Sequence, residues 1–373
     1  MKIQLSHKFE EIICVENLLE AWKEFAMGKK HKCDVGEFSL RLMDNILSLH
    51  GDLFNHTYKH GGYQAFTIND PKPRDIHKAA VRDRLLHHAI YRILYPFFDK
   101  IFIADSYSCR LNKGVHKAVN RFREFVWKAS KNNTRTCWAL KCDIRKFFAN
   151  IDQDLSIKIL REYIPDENII NLLKNVIGSF TSSPASLVSH LLSISLASLS
   201  LWRSGPSGKG RCAGSIGLPL GNMTSQLFVN IYMNKFDQFV KHKLKAKCYI
   251  RYADDFVILS DNKKWLEEQI ELMRDFLRQE LKLELHPNKV FIKTLASGVD
   301  FLGLVNFLDY RILRTKTRRR MFKNIENKCN DWRGGLMSEE SFNRSLQSYF
   351  GVLKHCQGYK IRREIETLID GAG

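Results

Sequence analysis

The stretch that decides the fold runs Cys248-Tyr249-Ile250-Arg251-Tyr252-Ala253-Asp254-Asp255-Phe256-Val257-Ile258-Leu259. Two apolar, β-prone runs flank an acidic pair, so the segment predicts a hairpin with strands at 247–253 and 256–260 and the acids between them. Adjacent carboxylates held rigidly repel each other, and a divalent cation relieves that repulsion. The plain alternative is a solvated acidic turn. The strands here are too apolar for a casual surface hairpin.

A second acid in a similar setting strengthens the metal reading. Residues 137–144, Cys-Trp-Ala-Leu-Lys-Cys-Asp-Ile, predict a buried strand ending in Asp143. Taken alone, Asp143 reads more simply as a strand-end or cap residue. Phosphoryl transfer by two metals requires carboxylates that converge from separate elements, one metal activating a 3′-hydroxyl and the other holding a triphosphate. Asp143, Asp254 and Asp255 supply such a set.

Working outward, the spacing predicts helices over 15–28, 38–50 and Ala79 to Phe98. Tyr63, Phe66 and Ile68 lead into a turn at Pro71 to Pro73, a hairpin with Lys72 and Arg74 at its basic tip. Further helices are expected over 154–163, 166–178, 224–244 and 263–281, and strands near 289–294 and 300–306. The last seventy residues read as helices broken at Gly334-Gly335 and Gly358. Strands alternating with helices before a helical tail predict an α+β core with an all-α appendage.

The charge points to the partner. Fifty-nine Lys and Arg against 40 Asp and Glu give a net charge of +19, spread along all 373 residues. Such a surface favours polyanions, nucleic acid or an anionic membrane surface. Nine cysteines, an odd count without a Cys-x-x-Cys pair, read as reduced thiols rather than a disulfide framework or a zinc ribbon. The charged N-terminus does not read as a signal sequence. The longest apolar stretch, Leu187 to Trp202, is interrupted by five serines, so no membrane span and a cytoplasmic location are expected.

Asp143 with Phe148, the segment Gly217 to Gln226, and Tyr252-Ala253-Asp254-Asp255 together resemble motifs A, B and C of reverse transcriptases, in the same order and spacing. The resemblance extends from about Tyr63 to Tyr359. It implies a right-hand polymerase: an N-terminal helical extension over 1–55, fingers over 56–135, a palm of antiparallel sheet flanked by helices over 136–310, and a helical thumb over 311–373. Within that palm the Ser-rich segment 179–211 stands out as an insertion.

Carried over residue by residue, the resemblance implies that Asp143, Asp254 and Asp255 bind two Mg²⁺ ions, or Mn²⁺ in their place, with Ile144 completing the metal site. Arg74, Arg82, Phe148, Leu220, Gly221 and Lys289 would line the dNTP site. Phe148 would be the steric gate against a 2′-hydroxyl, and Lys289 the proton donor to pyrophosphate. Phe301, Leu302 and Gly303 correspond to the primer grip. Lys72, Arg84, Gln226, Arg318, Arg319 and Arg320 would contact nucleic acid. Without the motifs, Phe148 reads as core and Arg82-Asp83-Arg84 as a surface salt-bridge cluster.

The form of motif B narrows the class. Gly221-Asn222-Met223-Thr224-Ser225-Gln226 resembles the enzymes of diversity-generating retroelements, as do Asp105-Ser106-Tyr107-Ser108-Cys109-Arg110 and Ser348-Tyr349-Phe350-Gly351. That resemblance implies a bacterial or phage enzyme that copies a template RNA from a DNA primer, with errors concentrated at adenines. A small, basic, oligomeric accessory protein is the implied partner. The competing expectations are a group II intron-like or defence-associated reverse transcriptase, a catalytically silent RNA-binding protein, and an RNA-dependent RNA polymerase, which Phe148 opposes. With the chain ending at Gly373, neither an RNase H nor an endonuclease domain is expected.

Overall fold

The computed structural model describes residues 3–69, 73–180 and 216–371; Lys72 and nearly all of the Ser-rich segment 179–211 lie outside these. Four helices open the chain: α1 (Phe9–Ile13), α2 (Val15–Ala26), α3 (Cys33–Leu40) and α4 (Leu42–Phe54). A hairpin of β1 (Tyr63–Ile68) and β2 (Arg74–Ala79) leads to α5 (Val81–Ile101) and α6 (Val115–Ser130). Then come β3 (Trp138–Asp143), a 3₁₀ turn (Phe147–Asn150), α7 (Gln153–Arg161) and α8 (Glu167–Gly178). Later follow α9 (Met223–Gln238), β4 (Cys248–Tyr252), β5 (Asp255–Ser260) and α10 (Lys263–Leu281). Short strands β6 (Phe291–Thr294), β7 (Val299–Phe301), β8 (Leu304–Asn306) and β9 (Arg311–Leu313) precede α11 (Thr315–Arg333), α12 (Glu339–Leu353) and α13 (Tyr359–Asp370).

The fold is mixed α+β, with antiparallel sheets flanked by helices, and it divides into two compact units. Unit 1 comprises Met1–Ala104, Ile144–Lys243 and Met273–Leu285. In it α5 buries Leu85, Leu86, Ala89, Ile90, Leu94 and Phe98, a helical stripe, and packs against α2. Asn17 on α2 ties the pair by donating to the carbonyls of Ile12 and Ala89 at 2.8 and 3.2 Å. Asp152 and Asp166 cap α7 and α8 by accepting backbone N–H groups that would otherwise lack partners.

Unit 2 comprises Asp105–Asp143, Leu244–Leu272 and His286–Gly373. Its four-stranded sheet, in the order β4-β5-β3-β6, pairs antiparallel throughout. Strands β4 and β5 are buried almost throughout; one face of the sheet packs Ala139, Ile250 and Val257 on Phe122, Phe125 and Val126 of α6. A second cluster joins Leu304 and Leu313 of β8 and β9 to Met321, Ile325, Phe350, Leu353 and Ile365 of the three terminal helices. Among the described residues no helix is long and apolar enough to cross a membrane.

Three expected elements differ. The helix read over 38–50 is broken at Arg41, whose φ of −121° and ψ of 46° separate α3 from α4. The strand read over 300–306 is a hairpin, because Leu302 (φ 52°) and Gly303 (φ 85°) reverse the chain between β7 and β8. The helix read over 224–244 stops at Gln238 and continues as a π turn, Phe239–Lys243.

Candidate active site

The sheet of unit 2 carries the acids. Strand register places Asp143, the last residue of β3, opposite Asp255, the first of β5, while β4 pairs Tyr252 with Asp255. The hairpin therefore turns through two residues only, Ala253 and Asp254. Ala253 has φ +55°, a left-handed conformation that costs a non-glycine residue about 1–2 kcal/mol. A conformation of that cost persists only where its surroundings hold it.

Arg251 is part of that support. It is fully buried, and its guanidinium donates to the carbonyl of Ala253 at 3.0 Å and to Ser106 Oγ at 3.1 Å. The 105–107 segment runs alongside β4: Arg251 N–H donates to the Asp105 carbonyl and Tyr107 N–H to the Arg251 carbonyl, both at 3.0 Å. Asp105 is in turn held by Arg121 Nε at 2.8 Å.

Two lysines face the acids. Lys289 Nζ donates to both oxygens of Asp143 at 3.0 Å, and His286 N–H donates to the Asp143 carbonyl at 2.8 Å. Lys141 lies two residues before Asp143 on β3, hence on the same face of the strand. Its Nζ stands 3.2 Å from Asp255 Oδ2 and donates to the Asp300 carbonyl at 2.8 Å. Asp255 Oδ1 is buried and, among the described residues, has no hydrogen-bond partner. Burial pushes the Asp255 carboxyl up to about 6; Lys141 pulls the other way, and the charges of Asp143 and Asp254 add to the rise.

An orphaned buried carboxylate oxygen, with a second acid across the ladder and a third beside it, fits a divalent cation. Among the described residues no three His, Cys, Asp or Glu side chains form a ready-made metal cage. That suits Mg²⁺, which keeps several waters and takes one or two carboxylates plus substrate phosphate oxygens.

Unit 1 holds most of the other residues singled out from sequence. Phe148 is half-buried in the 3₁₀ turn, edge-on to Phe147 at 5.6 Å. The Phe148 and Ile151 carbonyls accept from the N–H groups of Leu218 and Gly217, both at 2.8 Å. The Leu220 carbonyl accepts from His77 N–H at 3.0 Å, and Asn222 Nδ2 donates to the His77 carbonyl at 3.1 Å. Motif B is thereby strung between the Phe148 turn and β2. Gly221 has φ +105°, and a Cβ there would meet Ile76 Cγ2 at 2.8 Å, so glycine is required. Gln226 is half-buried on α9, and Ile144 is buried in an isolated bridge with Leu285.

The arginines divide. Arg74 is exposed at the start of β2 with no ion pair among the described residues. Arg82 pairs with Asp52 and lies over Tyr58, and Arg84 pairs with Asp34 at 2.5 Å and lies over Phe25. Between them Asp83 is buried, accepting from the Tyr58 hydroxyl at 2.6 Å. In unit 2, Phe301 is fully buried, stacked on Phe122 at 5.3 Å, so only the Leu302-Gly303 turn of that motif reaches the surface. Arg318 pairs with Glu364 at 2.5 Å; Arg319 is exposed and Arg320 half-buried.

Sequence reasoning missed Lys141, Arg251 and the support from Asp105 and Ser106. The signal for Lys141 was its i, i+2 spacing from Asp143. Arg251, an arginine inside an apolar strand, was the signal for a buried positioning cation.

The family model described as reverse transcriptase (RNA-dependent DNA polymerase) matches residues 68–305. Protein YkfC of Escherichia coli (strain K12) is 26% identical over 279 residues, 66% of this chain and 65% of that protein. The group II intron-encoded protein LtrA of Lactococcus lactis subsp. cremoris is 23% identical over 320 residues, 68% of this chain and 47% of that protein. The chain thus spans just under two thirds of the first relative and about half of the second. Among solved structures, apo telomerase from Candida tropicalis aligns with a TM-score of 0.49 at 12% identity, covering 82% of this chain and 59% of that one.

Proposed function

Because the chain belongs to the reverse transcriptase (RNA-dependent DNA polymerase) family, we propose that it extends a DNA primer on an RNA template from dNTPs, with fingers, palm and thumb divided as the sequence motifs suggest. The observation that carries this reading is the facing pair Asp143 and Asp255, with Asp254 beside them at the hairpin tip and an Asp255 oxygen that has no partner among the described residues. When bound there, Mg²⁺ supplies Lewis-acid activation of the primer 3′-hydroxyl and neutralises charge on the triphosphate.

The chain's own residues supply the rest. Asp143, Asp254 and Asp255, with the Ile144 backbone, hold the metal site. Lys289, already at Asp143, moves to protonate departing pyrophosphate. Arg74 grips the triphosphate through bidentate hydrogen bonds, joined by Arg82 if it leaves Asp52. The Phe148 ring crowds a 2′-hydroxyl and selects dNTPs, while Leu220 and Gly221 line the nucleotide side of motif B. The Leu302-Gly303 turn lets the primer strand approach the backbone. Gln226, Lys72, Arg84, Arg318, Arg319 and Arg320 contact template and primer.

The finer reading is a diversity-generating enzyme of a bacterium or phage, cytoplasmic, error-prone at template adenines and working with a small basic accessory protein. Its support is the Gly221-Asn222-x-Thr224-Ser225-Gln226 form of motif B. Leu220 stands where a polar side chain would orient the nucleotide, leaving a more permissive pocket. The second reading is a group II intron-like enzyme, favoured by the similarity to LtrA.

Primer extension on an adenine-containing RNA with Mg²⁺ and either dNTPs or NTPs, followed by sequencing, separates these. dNTP-dependent extension with errors opposite adenine supports diversification, and Leu220→Gln then lowers those errors. Faithful dNTP extension moves the assignment to the group II-like reading. Extension requiring NTPs contradicts the proposal.

A further inference from the structure

Unit 2 contains a cavity of about 280 Å³ whose lining includes none of the three acids. Its walls come from α6, the β8–β9 turn and the junction of α12 with α13. At its base Arg311 is only 8% exposed, and among the described residues its guanidinium has one side-chain partner, Asn120 Oδ1 at 3.1 Å. A guanidinium this buried without a carboxylate is costly unless an anion completes it.

The other charges at the cavity have the same sign. Arg123 and Lys354 line it, both exposed and neither in an ion pair among the described residues. His355 lines it too, stacked on His116 at 3.9 Å between ring centres. Burial and the Arg123 charge lower the Arg311 pKa, the direction an excess of positive charge produces. The one acid of the lining, Asp309, already accepts from Asn133 Nδ2 at 2.8 Å. At the rim Tyr310 is stacked on Phe307 at 4.7 Å and is 45% exposed, an aromatic face open to a planar group.

We propose that this cavity binds one unpaired nucleotide, its phosphate held by Arg311, Arg123 and Lys354 and its base stacked on Tyr310. A cavity below the usual ~300–1,000 Å³ of drug-sized ligand sites suits one nucleotide rather than a duplex. Base stacking on an exposed aromatic is indifferent to base identity, because every base has a π-face. The nucleotide can come from an RNA strand or as a free nucleoside monophosphate; both present the same phosphate and base. The inference does not depend on the polymerase reading, since it uses no residue of the acidic site.

The test is fluorescence anisotropy of a labelled single-stranded RNA decamer with the full-length chain. Arg123→Ala with Lys354→Ala is compared with Lys128→Ala with Lys360→Ala, which removes equal charge from α6 and the start of α13 at residues that do not line the cavity. The cavity pair is expected to weaken binding roughly tenfold, and the control pair at most about threefold. Tyr310→Ala is expected to weaken it about fivefold, and Tyr310→Phe, which keeps the ring, less than about twofold. Displacement of the decamer by AMP but not by inorganic phosphate assigns the site to a free mononucleotide. Losses in the cavity variants without AMP competition assign it to the RNA strand. Equal losses in the cavity and control pairs, or wild-type binding by Tyr310→Ala, overturn the proposal.

Discussion

The Arg251 guanidinium donates to the carbonyl of Ala253 at 3.0 Å, so a buried cation braces the left-handed residue that starts the acidic turn. The turn geometry fixes where Asp254 and Asp255 stand, and Arg251 fixes the turn through Ser106 and the 105–107 segment. Arg251 is a positioning residue, not a catalytic one. Lysine cannot reproduce its two-pronged reach. Arg251→Lys is expected to lower kcat by about tenfold or more and to raise the Mg²⁺ concentration for half-maximal activity. Unchanged Mg²⁺ dependence would reduce Arg251 to a packing role.

Lys289 holds Asp143 at rest, and under the proposed function it is the group that gives up a proton during turnover. Lys289→Met is expected to lower kcat by about 100-fold, the lower end of the general-acid range. The dNTP KM should change little. Steady-state kinetics with dNTP varied checks this, and a variant that loses affinity while keeping kcat makes Lys289 a binding residue instead.

Gly221 and Gly51 make opposite cases for alanine. A Cβ at Gly221 collides with Ile76 at a φ of +105°, whereas Gly51 lies within α4 with nothing within 4 Å. Gly221→Ala is expected to destabilise by about 1–3 kcal/mol and to raise the dNTP KM, because motif B shifts off β2. Gly51→Ala is expected to stabilise by about 0.5–1 kcal/mol. Thermal unfolding of the two variants beside wild type checks both signs.

The pH dependence of stability is set in part by His87 on α5. Burial, followed by the neighbouring charges of His60, His88 and Arg84, pushes its pKa down to about 3, against an ordinary value of 6.5. Below pH 6.5 the unfolded chain takes up a proton that the folded chain refuses. Stability is therefore lost as pH falls, by about 2 kcal/mol from this group at pH 5. His88, pushed to about 4 by burial, acts in the same direction. Urea unfolding at pH 7 and pH 5 should show the loss, and His87→Phe, which keeps the stacking on His60, should reduce it. An unaltered pH 7 to pH 5 difference in that variant would contradict this.

Most of the scaffold was legible because its elements are long and periodic. The strands at 138–143, 248–252 and 255–260 and the three terminal helices lie where their apolar patterns and glycine breaks put them. The three-stranded sheet of β7, β8 and β9 was not legible, since three-residue strands show no period and the reversal is made by a leucine in a left-handed conformation. α6 was passed over although it covers the central sheet. The acids could be read because each sits in a short local pattern, an apolar strand that ends or begins at a carboxylate. The pairing of Arg82 with Asp52 and of Arg84 with Asp34 joins residues far apart in sequence, which no local pattern reports.

The most direct test of the account is primer extension by Asp254→Ala with Asp255→Ala, beside wild type, on an RNA template with Mg²⁺ and dNTPs and with folding checked by circular dichroism. The expected result is a folded variant with no detectable extension beside an active wild type. Extension by the double variant at a rate near wild type would contradict it, because Asp254 and Asp255 would then not be the groups that hold the metal.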